Sequence, residues 1–268
     1  MPRTLHKSIV MVVAALLTGA PAAEAATAPA PAPTPAIPPS SVPAAEPPLV
    51  ISTGTFTLHT SSAALEGYML AFSGRAPARY AHRTVTIERY DKRKGAWIGA
   101  ASARVDSSGG FLVDWRANLS GRIAIRALIA RGVHAAAADS SQPAEITIYR
   151  PAIATYLCTG FYGNQTACGQ TLKPQLIGVA NRTLPCGTLV EVSYAEHRLT
   201  VPVVDRGPYA NGASWDLTEA AAQALGIDET VRVGTLIVGS TPNVPTLGLS
   251  AEALALEAQA ALTGGSSA

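Results

Sequence analysis

The sequence predicts an all-β protein with two strand-rich regions and one short helix. Apolar and polar residues alternate over short runs such as Arg83–Tyr90 (RTVTIERY) and Gly121–Leu128 (GRIAIRAL), which is the period of a half-buried strand. Clusters of Gly, Ser, Asn and Pro separate these runs, as in proteins built from short strands and tight turns. One segment breaks the pattern: Glu219–Leu225 has helical composition, with Thr218 placed as N-cap and Gly226 as the terminating residue.

Charge and composition narrow the class of protein. The 268 residues carry 20 Lys plus Arg against 18 Asp plus Glu, a formal net charge of +2. This near-balance contains no basic run, so we expect no nucleic-acid partner. The chain also has no phosphate-binding or dinucleotide-binding glycine motif, and we expect no cofactor.

The N-terminus has the pattern of a secretory signal. Arg3, His6 and Lys7 precede the apolar run Ile9–Leu17, and Ala23–Ala25 (AEA) fits a cleavage site for small residues. The apolar run is short for a membrane span, although an uncleaved anchor is the alternative. We therefore predict a signal peptide over residues 1–25, an extracytoplasmic protein of the cell envelope, and no membrane span after cleavage.

A linker and a first β-domain follow. Residues 26–49 are rich in Pro and Ala and cannot form a core, which predicts an extended spacer or merely a tolerated tail. Residues 50–150 contain short strands, with a turn at Ser107–Gly110 (SSGG), and this spacing predicts a β-sandwich. In pattern alone the region resembles bacterial immunoglobulin-like modules. It holds no cluster of reactive groups, so we interpret it as a spacer or as a module that binds an envelope protein.

Three segments within residues 152–240 carry the candidate chemistry. They are Gly160–Leu172 (GFYGNQTACGQTL), Gly178–Thr188 (GVANRTLPCGT) and Val201–Leu217 (VPVVDRGPYANGASWDL). In this order they resemble the rare lipoprotein A-like (RlpA-like) family of septal lytic transglycosylases, and more distantly the plant expansins. The resemblance implies a six-stranded double-psi β-barrel over residues 152–240 that binds or cleaves peptidoglycan glycan strands in a groove built by its loops.

Asp205 and Asp216 are the candidate catalytic residues. Asp205 follows the apolar strand VPVV, so partial burial would raise its pKa and keep it protonated as the acid. Its alternative role is to cap the tight turn before Gly207 and Pro208. Asp216 would support Asp205 electrostatically, or would merely pair with the dipole of the helix that follows.

Aromatic side chains are the candidate sugar platforms, because pyranose rings present apolar C–H faces to aromatic rings. Tyr156, Tyr162, Tyr209 and Trp215 lie in or beside the three segments, and each of them could equally be a core residue. Thr166, in the TACG segment, is a further candidate for substrate binding.

Asn181 is the main departure from the family pattern. The family has a histidine before the Arg-Thr-Leu-Pro run, whereas an amide can hydrogen-bond a sugar but cannot transfer a proton near neutral pH. Asn181 is thus a candidate substrate-binding residue. Three hypotheses stay open: a lytic transglycosylase, a non-catalytic expansin-like module that binds or loosens polysaccharide, and a structural barrel that docks another envelope protein.

Three cysteines allow three pairings with one thiol left over. The family resemblance implies a Cys168–Cys186 disulfide, which leaves Cys158 free. No histidine lies at ligand spacing from any cysteine, so we expect no metal site.

The last prediction concerns the boundaries of the barrel. We expect it to share no sheet with residues 50–150, because the motif content changes at Tyr149–Pro151. Residues 241–268 form a tail, in which Ser250–Leu262 has helical composition.

Overall fold

A computed structural model describes residues 48–52, 56–130, 138–156, 159–209 and 212–264. The predicted signal peptide and nearly all of the predicted linker lie outside these ranges. Within the described ranges, no helix is both long and apolar enough to cross a membrane.

Ten strands form the first half of the chain, where the sequence alternates with period two. In chain order they are β1 (Leu49–Ser52), β2 (Thr57–Thr60), β3 (Ala63–Leu65), β4 (Met69–Arg75), β5 (Thr84–Asp91), β6 (Ala96–Arg104), β7 (Gly110–Arg116), β8 (Gly121–Ala130), β9 (Ala138–Ser140) and β10 (Ala144–Tyr156).

These strands form two sheets around one core. The first sheet has the order β1-β2-β4-β7, and the second contains β10-β8-β5-β6, with β3 paired to β10 and β9 paired to β8. Phe72 and Trp115 of the first sheet pack in the same buried cluster as Ile87 and Ile125 of the second. The all-β prediction for this half is confirmed, while the immunoglobulin-like topology stays a prediction.

Strand β10 crosses the predicted domain boundary. Its first part pairs with β8 through Ala144–Ile148, and its second part pairs with a strand of the barrel from Arg150 onward. The expectation that the two halves share no sheet is therefore wrong. All described residues also belong to one compact unit. The change in motif content at Tyr149–Pro151 suggested a boundary, yet all three residues lie inside this strand.

The second half of the chain is a closed barrel. Its further strands are β11 (Val179–Ala180), β12 (Thr188–Tyr194), β13 (His197–Asp205), β14 (Trp215–Leu217) and β15 (Val231–Ser240). The hydrogen-bonded order is β10-β15-β12-β13-β11-β14, and β14 pairs back to β10. Six strands thus form a ring with no free edge, as the family resemblance implies. Val190, Val201, Val203 and Leu217 fill its core.

Two helices flank the barrel. Helix α1 (Glu219–Leu225) begins and ends where the sequence predicts, with Gly226 in the left-handed conformation at φ 70°. The tail, whose residues Ser250–Leu262 have helical composition, forms helix α2 (Ala251–Gly264). Lys173 of a barrel loop forms an ion pair with Glu257 of this helix.

Candidate active site

A groove of about 760 Å³ lies among the barrel loops. Asp205 and Asp216 both line it, together with the aromatic residues Tyr156, Phe161 and Tyr209. Strand pairing brings the two carboxylates together: Ala180 of β11 is paired with Asp205 of β13 on one side and with Asp216 of β14 on the other. Two acids that are eleven positions apart in the sequence therefore face one open groove.

Asp205 sits at the end of β13, where the apolar strand meets the loop. Its Oδ1 atom accepts hydrogen bonds from the backbone N–H groups of Ala167 (2.8 Å) and Arg206 (2.7 Å). Among the residues that the structure describes, none donates a hydrogen bond to the other carboxyl oxygen, Oδ2. One oxygen of Asp205 is thus held by the backbone, and the second is left to contact a ligand.

Asp216 accepts a hydrogen bond from a neighbouring strand. The hydroxyl of Thr155 donates to its Oδ1 at 2.9 Å, because β10 and β14 place these residues side by side. Burial raises the pKa of Asp216, the charge of Asp205 raises it further, and the Thr155 hydrogen bond opposes the rise. The sequence predicts a raised pKa at Asp205, whereas the structure raises the pKa of Asp216.

Three aromatic rings on the groove are open to solvent. The exposed fraction is 78% for Tyr209, 54% for Phe161 and 38% for Tyr156. Sequence reasoning found the two tyrosines and missed Phe161, which ends a short 3-10 turn (Thr159–Phe161). Phe161 stands beside Tyr162 in the run Gly160–Gly163 (GFYG), and the sequence does not show which of the two aromatic residues faces the groove.

Two aromatic candidates lie elsewhere. Trp215 is only 7% exposed and packs in the barrel core, so the prediction that it stacks on a sugar is wrong. The Tyr162 hydroxyl donates to Glu219 of α1, and this bond, with some burial, raises the pKa of Tyr162 to about 12. Its ring packs beside Leu172 and Leu176, and the tyrosine is not among the described residues that line the groove.

The side chains of Thr166 and Asn181 form hydrogen bonds with neighbouring protein residues. Thr166 lines the groove, but it is buried and its hydroxyl bonds Gln170. The Asn181 side chain accepts the N–H groups of Thr183 (3.1 Å) and Leu184 (3.0 Å) and donates to the Ser214 carbonyl (3.2 Å). Its amide therefore closes a turn beside the site, and no described contact aims it at the groove.

A disulfide joins two of the three motif segments. Cys168 and Cys186 are bonded with their Cα atoms 5.7 Å apart, which confirms the predicted pairing. Cys158 lies outside the described residues. Among the described residues, no three His, Cys, Asp or Glu side chains are grouped so that they could hold a metal ion.

Comparison with known proteins supports the same part of the chain. Residues 155–238 match the family model described as lytic transglycolase. The protein named probable endolytic peptidoglycan transglycosylase RlpA from Synechocystis sp. is 39% identical over 77 residues, which are 28% of this chain and 24% of that protein. Its namesake from Aquifex aeolicus is 44% identical over 69 residues, 25% of this chain and 30% of that protein. Endolytic peptidoglycan transglycosylase RlpA from Campylobacter jejuni is 35% identical over 75 residues, 27% of each chain.

The closed ring of six strands with a loop-built groove defines this half as a double-psi β-barrel of the lytic transglycosylase type. Residues 155–238 belong to the RlpA-like family of these barrels. The match spans only about a quarter of the length of these curated relatives.

Proposed function

We propose that the protein is a lytic transglycosylase that cleaves peptidoglycan glycan strands in the barrel groove. The observation that carries this proposal is the pair of carboxylates, Asp205 and Asp216, on one open groove, with the pKa of Asp216 raised. The names of the relatives are consistent with this chemistry. Three exposed aromatic rings on the same groove support the binding of a saccharide.

The environments of the two acids suggest different roles. A group with a raised pKa holds its proton at a higher pH, so Asp216 is suited to act as the general acid. Asp205, with two backbone N–H groups on one oxygen, is suited to supply a fixed negative charge beside it. This division follows the general rule that paired carboxylates take their roles from their environments.

In the proposed reaction Asp216 protonates the glycosidic oxygen, and the bond between that oxygen and the muramyl anomeric carbon breaks. The charge of Asp205 stabilises the positive charge that develops on the sugar. The carboxylate of Asp216 then takes a proton from the muramyl hydroxyl as that hydroxyl attacks the anomeric carbon. The products are an anhydromuramyl end and a free glucosamine hydroxyl, and the acid is restored without the water that glycoside hydrolysis requires.

The test is incubation of the full chain with purified peptidoglycan, followed by mass spectrometry of the released sugars. Anhydromuramyl ends, absent with Asp216→Asn, are the expected result. Reducing muramyl ends, which are heavier by one water, would mean hydrolysis and overturn the proposed chemistry. Retention on peptidoglycan with no product at any pH would instead identify a binding module.

The location follows from the substrate. Peptidoglycan lies outside the cytoplasm, and the signal-peptide pattern of residues 1–25 supports export. We assign residues 50–150 no reaction of their own, and we propose that they hold the barrel in place or contact an envelope protein.

A further inference from the structure

The loop that carries Cys168 reaches the carboxylate of Asp205 directly. Ala167, the residue before this cysteine, donates its backbone N–H to Oδ1 of Asp205 at 2.8 Å. The loop doubles back here because Gly169 adopts φ 95°, and Thr166 and Gln170 close it with a backbone hydrogen bond of 2.7 Å. The N–H group on Asp205 is thus one residue away from a covalent crosslink.

The other end of the crosslink contacts Arg206, the residue that follows Asp205. The Nη2 atom of Arg206 lies 3.2 Å from the Cys186 sulfur, and its Nη1 atom is 3.4 Å from the carbonyl oxygens of Asn181 and Asp205. The Arg206 backbone N–H is the second donor to Oδ1 of Asp205. One donor to this oxygen, Ala167, thus immediately precedes one half of the disulfide, and the other, Arg206, contacts the second half through its side chain.

Hydrogen bonds within the loop, and others to Asn243 and Val244, also restrain it. On its far side Asn243 donates to the Cys168 carbonyl (2.8 Å) and accepts from the Gln170 side chain (2.7 Å). These bonds attach the loop to the segment that follows β15, and neither of them involves Ala167 or Asp205. The disulfide joins this loop to Cys186, and the next residue, Gly187, donates its N–H to the Val203 carbonyl of β13 at 2.8 Å. Through this connection the crosslink limits how far the loop can move from the strand that carries Asp205.

We infer that the Cys168–Cys186 disulfide is a positioning element of the catalytic site: it keeps the Ala167 N–H on Oδ1 of Asp205, so that Oδ2 faces the glycan. The effect on catalysis rests on the proposed function, whereas the effect on the hydrogen bond does not. Two charged residues lie close to Asp205: Arg206, whose guanidinium is 3.4 Å from the Asp205 carbonyl oxygen, and Asp216, whose pKa the charge of Asp205 raises.

The first test follows the Ala167 amide by NMR in the full chain, without substrate. An N–H that donates to a carboxylate changes its chemical shift when that carboxylate is protonated. In the native protein the Ala167 amide should therefore follow an acid titration, and Asp205→Asn should abolish the response. In the Cys168→Ser/Cys186→Ser variant the response should fall by at least half. An unchanged response in that variant would overturn the inference, whether or not the protein is an enzyme.

The second test removes the donor and keeps the disulfide. Replacing Ala167 by lactic acid turns the N–H into an ester oxygen without changing the side chain. Both this ester and the Cys168→Ser/Cys186→Ser variant should lose about tenfold in kcat with little change in KM, because a held carboxylate acts mainly in the transition state. Full activity of the ester would refute a positioning role for this amide.

Folding and activity are separated by the design. If the Cys168→Ser/Cys186→Ser variant does not fold, the NMR comparison is made on native protein before and after reduction with a phosphine. If the native protein releases no anhydromuramyl ends, the proposed function fails, and the amide titration still decides the inference by itself.

Discussion

Thr155→Val gives the most direct test of how the site holds its proton. The Thr155 hydroxyl has one proton and two acceptors near it, and the Asp216 oxygen at 2.9 Å is closer than the Trp215 carbonyl at 3.3 Å. This hydrogen bond stabilises the ionised carboxylate and so lowers the pKa of Asp216 against the effect of burial. Valine has nearly the same shape and no hydroxyl, so the pKa of Asp216 should rise further.

The size of the effect follows from the bond that is lost. A hydrogen bond to a charged group contributes about 1.5–3 kcal/mol, and the lower end suits this half-buried residue. Since about 1.4 kcal/mol is a factor of ten, the protonated fraction of Asp216 above its pKa should increase about tenfold. If Asp216 is the general acid, the falling limb of the pH–rate profile moves to higher pH.

The assay is the rate of anhydromuramyl release against pH, with carboxyl NMR of Asp216 as a readout that needs no activity. Thr155→Ser keeps the hydroxyl and is the matched control, whose profile should match that of the native protein. A Thr155→Val profile that coincides with the native one, or that moves to lower pH, would refute the assignment of Asp216 as the acid.

Three further predictions concern the acids and the junction. Asp205→Asn should lower kcat by about 10²–10⁴, the range for a catalytic acid or base, while binding to peptidoglycan measured by co-sedimentation is retained; native rates in this variant would exclude Asp205. Asp216→Asn should abolish release and yet raise the free energy of unfolding at neutral pH. A carboxyl whose pKa is raised on folding contributes stability below its unfolded pKa and loses it as pH rises, so equal urea midpoints for variant and native protein at neutral pH would contradict the shift. Tyr149→Phe should lower the free energy of unfolding by about 1.5–3 kcal/mol, because the hydroxyl donates to the buried carboxylate of Glu191. The control, Tyr68→Phe, removes an exposed hydroxyl and should change the free energy of unfolding by less than about 0.5 kcal/mol.

Local signals in the sequence predicted much of the fold. Helix α1 was predictable because its ends carry Thr218 and Gly226, and the strands β12 and β13 because their apolar runs stand between turn residues. The shared strand β10 was not predictable in this way. Pro151 and the change in motif content resemble a boundary, and only the non-local pairing with β15 shows that the strand continues.

The candidate site also depends on strand pairing that local sequence signals do not reveal. The order of the motifs predicted that Asp205 and Asp216 act together. Which of the two accepts a hydrogen bond from Thr155 depends on a parallel pairing between β10 and β14, which are about sixty residues apart. The same pairing directs the side chain of Trp215 into the barrel core. The side that a residue presents is set by the register with a distant strand, and a one-residue shift would exchange the two faces.

This register also connects the first half of the chain to the chemistry. Strand β10 pairs with β8 at Ala144–Ile148 and ends at the groove, where Thr155 bonds Asp216. Between these points the Tyr149 hydroxyl donates to Glu191 of the barrel, and Arg122 of β8 forms a salt bridge with the same carboxylate at 2.8 Å. Because a strand is one continuous element, the contacts that hold its first part in register also help to hold the part that carries Thr155. The first half can therefore influence the candidate site without binding a ligand, because it helps to hold the Thr155 hydroxyl that lowers the pKa of Asp216.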